Sequence, residues 1–188
     1  MSARTGSQAS RDRLDLLEKG IVSYPEAMVA LAHFRRLVVD MCKRVAEGRT
    51  KRIRQVFGVA PSPPKNMHDE VEDFYEKAWT SLGTYVAVGE QRKLYIGLDW
   101  REDDGKQIPR LHASIKPRLK ASYNRLAKAL QAKYREKVVA MERDWWCGLE
   151  EPPGPACAPH LERRLGRLTD RLLTMLNAVN VRKLLREA

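Results

Sequence analysis

Between Thr84 and Ile115 apolar residues tend to recur at every second position, whereas on either side of that stretch they recur at every third or fourth. A period of two belongs to a strand with one buried face and a period near 3.6 to an amphipathic helix. The chain is therefore expected to fold as α+β, with four or five amphipathic helices packed with a small three-stranded antiparallel meander. Leu94, Ile96, Leu98 and Trp100 alternate with Lys93, Tyr95, Gly97 and Asp99, the pattern of a half-buried strand. Tyr85 to Val88 reads as its partner before the Gly89-Glu90-Gln91 turn. Glu102-Asp103-Asp104-Gly105 is a hairpin signal, because Asp-Gly tolerates the positive φ values of a tight turn. Ile108 to Ile115 is the third strand, and Pro109, which cannot donate to a ladder, places it at an edge.

The helical stretches carry their own punctuation. A short helix is expected from Arg11 to Lys19 with Gly20 as its stop. Ser23-Tyr24-Pro25-Glu26 then has the spacing of a capping box with proline in the first turn. Ala27, Leu31, Phe34, Val38, Met41, Cys42 and Val45 follow as one apolar face, up to a break near Gly48. Met67, Val71, Phe74, Tyr75, Ala78 and Leu82 form a further stripe among acidic residues. From Pro117 the longest stripe runs through Leu119, Tyr123, Leu126, Leu130, Tyr134, Val138 and Met141 to Trp145, so one helix is expected to reach about Trp146. Leu161, Leu165, Leu168, Leu172, Met175, Leu176 and Val179 mark the last helix.

These signals divide the chain into a disordered N-terminus (1–10), an N-terminal helical part (11–58) and a proline-rich connector (59–66). There follow an acidic helix, meander and long basic helix (67–147), a second proline-rich loop (148–159) and a C-terminal helix (160–188), all in one compact domain. With 188 residues of which 43% are hydrophobic, the chain can bury a substantial core.

Charge separates the segments further. The net formal charge is +11, yet residues 61–110 hold 7 basic against 10 acidic side chains, and residues 111–147 hold 9 against 3. At about 100° per residue, Arg118, Arg125, Lys128, Arg135 and Arg143 fall on the side of the Pro117 helix opposite its apolar stripe. Ala121 and Ala132 stand between them, small enough for a backbone or a groove to approach. Arg49, Lys51, Arg52 and Arg54 make a second basic run. By contrast Arg36 with Asp40, and Lys43 with Glu47, have the i,i+4 spacing of an ion-paired solvated face.

Catalytic signatures are absent: there is no G-x-S-x-G, no P-loop, no H-E-x-x-H and no glycine fingerprint. Cys157-Ala158-Pro159-His160, with Cys147 and His112 elsewhere, lacks the second ligand pair of a structural zinc site. Asp99, Glu102, Asp103 and Asp104 surround a hairpin tip, where turn geometry already accounts for Asp and Gly. No cofactor, no metal and no enzymatic activity are therefore expected. Trp146 reads as a lid on the core, a stacking platform or an interface anchor. Three scattered cysteines, no apolar leader and no span-length apolar run indicate a cytoplasmic protein with no membrane partner.

A cationic surface without catalytic motifs points to a non-enzymatic protein that engages nucleic acid or a nucleoprotein complex, by its backbone or shape rather than its sequence. The competing expectation is a small interaction module, of the inhibitor, immunity or adaptor type, that binds an acidic protein surface.

Overall fold

The computed structural model describes residues 5–66, 81–89, 92–103, 106–134, 138–141, 145–153 and 158–185. These form five helices and one antiparallel sheet of six strands: α1 (Thr5–Glu47), α2 (Thr50–Phe57), β1 (Lys65–Asn66), β2 (Ser81–Ala87), β3 (Lys93–Asp103), β4 (Lys106–Lys116), α3 (Lys120–Tyr134), β5 (Val139–Met141), β6 (Trp146–Glu151), α4 (Ala158–Ala178) and α5 (Val181–Leu184). The strand order is β1-β2-β3-β4-β6-β5. The chain divides into two units, residues 1–37 and 38–188. The class is α+β as expected, and the β2-β3-β4 meander is present, but it forms only the middle of a wider sheet.

The hairpin signal is realised by the β3–β4 ladder. Asp103 pairs with Lys106 around residues 104 and 105, and the register continues through Leu98↔Leu111 and Ile96↔Ala113 to Lys93↔Lys116. Directly opposed residues share a face, so Leu94, Ile96, Leu98, Leu111, Ala113 and Ile115 form one apolar surface. Leu82 and Val86 extend it from β2, and Cys147 and Leu149 from β6. Against it pack Met41, Cys42 and Val45 from the end of α1, Ile53 and Phe57 of α2, Tyr123, Leu126 and Leu130 of α3, and Leu165, Leu168, Leu172 and Leu176 of α4.

Several expectations need correction. The helix from Pro117 ends at Tyr134 rather than Trp146, and Val139–Met141 and Trp146–Glu151 are strands. Val138, Met141 and Trp145 fit a period of 3.6, but Trp146, Cys147 and Leu149 leave that face; as β6 they supply β4 with a partner on its open side. The four-residue connection places Trp145 at φ 59, a left-handed conformation a bulky residue seldom adopts. The second proline loop therefore begins only after Glu151.

At the N-terminus, α1 runs unbroken from Thr5 through Gly20 and Pro25, where two helices and ten disordered residues were expected. An internal proline removes one i→i−4 hydrogen bond, a local loss that the turns on either side outlast. The connector at 59–66 carries β1, with Lys65↔Tyr85 and Asn66↔Thr84, and an isolated bridge from Pro61 to Val88. β2 starts at Ser81, three residues before the expected change of period. The acidic stripe from Met67 to Ala78 lies outside the described residues.

β4 is not an edge strand, since β6 pairs with it over Leu111–Ile115. Pro109 lies beyond that overlap, so the requirement that excluded it from a central ladder is still met locally. The last helix breaks at Asn180, held at φ 53, before α5.

Gly97 shows how closely β2 and β3 approach on the other sheet face. A Cβ there would stand 2.5 Å from the Leu82 carbonyl oxygen and would collide with the Tyr95 ring, which lies over the strand. Gly97→Ala and the core truncation Leu172→Ala are each expected to lower folding stability by about 3 kcal/mol. Urea unfolding followed by circular dichroism measures this, and midpoints like that of the unaltered protein would contradict the packing.

Candidate functional site

α3 has four cations, Lys120, Arg125, Lys128 and Lys133, and no carboxylate in fifteen residues. Its apolar side, with Leu126 and Leu130 fully buried, fixes which face is left outward. Lys120, Asn124, Lys128 and Gln131 follow at steps of four, four and three and so share a stripe. Beside them an open cleft of about 720 Å³ is lined by Tyr123, Asn124, Ala127, Lys128, Gln131, Ala132 and Ala140 of β5. Among the described residues Lys128 is its only charged wall, beside the alanines.

The structure sorts the basic residues expected to bind. Arg118 and Lys128 are exposed, the first just ahead of α3 and the second on it. Arg125 instead donates to the Leu184 carbonyl at 3.2 Å and to Ser122 Oγ at 3.1 Å. Lys133 reaches the Ala178 carbonyl at 3.4 Å. Both cations thus meet carbonyls at helix C-termini, where positive charge is favoured. Arg135 and Arg143 lie outside the described residues, and the described part of that row comprises Arg118, Arg125 and Lys128.

The second basic run is likewise divided. Arg49 donates to the Gly166 carbonyl at 3.1 Å and to Asp170 Oδ2 at 2.9 Å, while Arg52 donates to Asp170 Oδ1 at 2.9 Å and to Thr174 Oγ1 at 2.6 Å. A Cβ on Gly166 would collide with the Arg49 guanidinium, so the glycine admits it. These two arginines fasten α2 and the residue before it to α4; partly exposed as they are, each pair contributes no more than about 1 kcal/mol. Lys51 and Arg54 remain exposed.

On the sheet face turned away from the helices stands a cluster that the sequence reading missed. Tyr95 and Asp99 of β3 are buried, as is His112 of β4, although alternation placed the first two on a solvent face. Tyr95 Oη donates to Asp99 Oδ1 at 3.0 Å, and His112 Nδ1 makes a short contact with Asp99 Oδ2. Glu150 Oε1 of β6 lies 3.8 Å from the same nitrogen. Burial pushes the Asp99 carboxyl upward, but the charge of His112 and hydrogen bonds from His112, Tyr95 and Ser81 outweigh it, and the group sits below its ordinary value. Burial and the neighbouring Asp99 charge raise the Tyr95 phenol well above its usual range.

Trp146 is part of this face rather than an exposed platform. It is 8% exposed, meets Tyr95 edge to face at 5.8 Å and has the Lys116 ammonium over its ring at 5.5 Å. His112 and Cys147 point to opposite faces of the sheet, His160 is exposed on α4, and Cys157 lies outside the described residues. The two groups considered from the sequence each contribute one donor, His112 and Asp99, and these meet with Glu150: their ligand atoms all lie within 4.8 Å of one another. One signal could have found them. A turn centred on Asp104-Gly105 sets Gly97 opposite His112 and leaves Asp99 as its diagonal neighbour.

No protein-family model, curated protein or solved structure matches this chain. Among the described residues no helix is long and apolar enough to cross a membrane.

Two outcomes follow from the geometry. Tyr95→Phe removes the hydrogen bond to Asp99 and is expected to cost about 1 kcal/mol in urea unfolding. Cys42 and Cys147 are buried, and desolvation drives the Cys42 thiol far up and the Cys147 thiol to about 12. Neither is expected to react with iodoacetamide at pH 8 before unfolding, as peptide mass mapping would show.

Proposed function

We propose that this protein is a non-enzymatic binding protein that engages nucleic acid, or a nucleoprotein assembly, through the outward face of α3. The observation that carries the reading is the composition of that helix: four cations, no carboxylate, and a cleft along it walled by Asn124, Lys128 and Gln131. Lys128 and the neighbouring Arg118 supply positive charge for phosphate oxygens, and the two amides offer donors and acceptors for sugar or base edges. Small side chains at Ala127 and Ala132 let a backbone come close. Lys51 and Arg54 are a second exposed pair for the same chemistry.

Because Arg49, Arg52 and Arg125 are engaged within the fold, fewer cations are available than the composition suggests. Contact with three or four phosphates gives a slope of log affinity against log salt of about −3 to about −4 on duplex DNA. Lys128→Glu is expected to weaken binding at least tenfold with an unchanged melting curve, whereas Arg49→Glu is expected to lower stability through Asp170. Fluorescence anisotropy with labelled DNA and RNA reads both effects, and a salt slope near zero would refute the reading.

A second reading, a module that binds an acidic protein, is favoured by one observation in the unit 1–37. Ile21, Val22, Tyr24 and Val29 of α1 are each more than 60% exposed, and Phe34 and Leu37 are also open. Aromatic and aliphatic side chains in such a position suit interface anchors. A stoichiometric complex with a protein that survives nuclease treatment is the outcome expected of this reading alone.

A further inference from the structure

We propose that Asp99, His112 and Glu150 form a binding site for one divalent transition-metal ion on the sheet face opposite the helices. The three side chains come from β3, β4 and β6, three adjacent strands whose register brings them together without any loop. They present one imidazole nitrogen and two carboxylate oxygens, a donor set of the kind that takes Zn2+, Mn2+ or Fe2+.

The spacing suits such an ion. Metal–ligand bonds of about 2.1 Å in tetrahedral geometry hold ligand atoms about 3.4 Å apart. His112 Nδ1 and Glu150 Oε1 are 3.8 Å apart and all three ligand atoms lie within 4.8 Å of one another, so small side-chain shifts that open the close contact of Asp99 with the imidazole and draw the carboxylates inward reach that spacing. Tyr95 already orients Asp99 by donating to its other oxygen, which is how outer hydrogen bonds aim a ligating carboxylate. All three side chains are nearly excluded from water, 3% exposed for His112, 10% for Asp99 and 12% for Glu150. Two carboxylates so placed repel one another, and a dication shared between them removes that cost.

A separate observation points to a bound species on this face. Ser114 stands two residues from His112 on the same side of β4, opposite Gly148, and its hydroxyl is fully buried with no hydrogen-bond partner. Buried hydroxyls are ordinarily satisfied. An ion with three protein ligands keeps a fourth position for water on this face.

The test uses the full chain, stripped with chelator and titrated with Zn2+ or Mn2+ alone by calorimetry. One ion per chain is expected, with a melting temperature raised by roughly 5 to 10 °C at a hundredfold excess over the dissociation constant. Glu150→Gln preserves size and the contact between Asp99 and His112, and is expected to weaken binding at least tenfold. Cys157→Ala is expected to leave it unchanged, and Co2+ bound in place of Zn2+ should show no thiolate charge-transfer band. Failure of the folded protein to bind either ion would overturn the proposal and make the trio a proton-sharing network only. So would unchanged affinity in Glu150→Gln, or loss of binding in Cys157→Ala.

Discussion

The pairing of β3 with β4 is the constraint on which the rest of the structure depends. Eleven residue pairs, from Asp103↔Lys106 to Lys93↔Lys116, share one register, and a slip of one position would exchange the two faces. With the register as it stands, Ile96, Leu98, Leu111 and Ile115 meet the helices, and Tyr95, Asp99 and His112 meet one another. The ladder also leaves the far side of β4 open over Leu111–Ile115, and β6 closes it with Cys147 and Leu149 directed to the same core. The β6 pairing in turn carries Glu150 to His112.

A sheet buried on both sides needs a different solution on each. Toward the helices the solution is apolar packing, and α4 contributes five leucines with 1% exposure or less. On the other side a phenol, a carboxylate and an imidazole satisfy one another, and the glycines at 83 and 97 let the Tyr95 ring lie flat over the strands. Buried polar groups are tolerated there because nearly every one of them has a partner. Among the described residues Ser114 is the exception on that face.

Positive charge is divided between holding the fold and facing solvent. Arg49 and Arg52 grip Asp170, Arg164 and Arg171 grip Glu151, and Arg125, Lys133 and Arg182 reach backbone carbonyls. An excess of cations in a sequence is therefore a poor measure of the cations a partner would meet. What distinguishes α3 is that its outward stripe combines Lys128 with amides and alanines beside a cleft.

Local pattern was enough to define the meander, the break near Gly48, the Asp-Gly hairpin and the leucine stripe of α4, because each rests on periodicity or on the backbone preference of a few adjacent residues. The sequence also marked α3 as basic and identified Trp146 as a residue in need of a place. It could not end α3 at Tyr134, since Val138, Met141 and Trp145 satisfy a helical period as well as they allow short strands, and only the unfilled edge of β4 decides between them. Nor could it show which arginines are spent on Asp170, a residue more than a hundred positions away. The cluster of Asp99, His112 and Glu150 is the clearest case: its members are separated along the chain, each has an ordinary explanation alone, and their meeting depends on two ladders and on burial of a face that alternation assigned to water. Periodicity reports a residue's neighbours along its own element, whereas contact across a sheet is set by long-range pairing and by what covers each face.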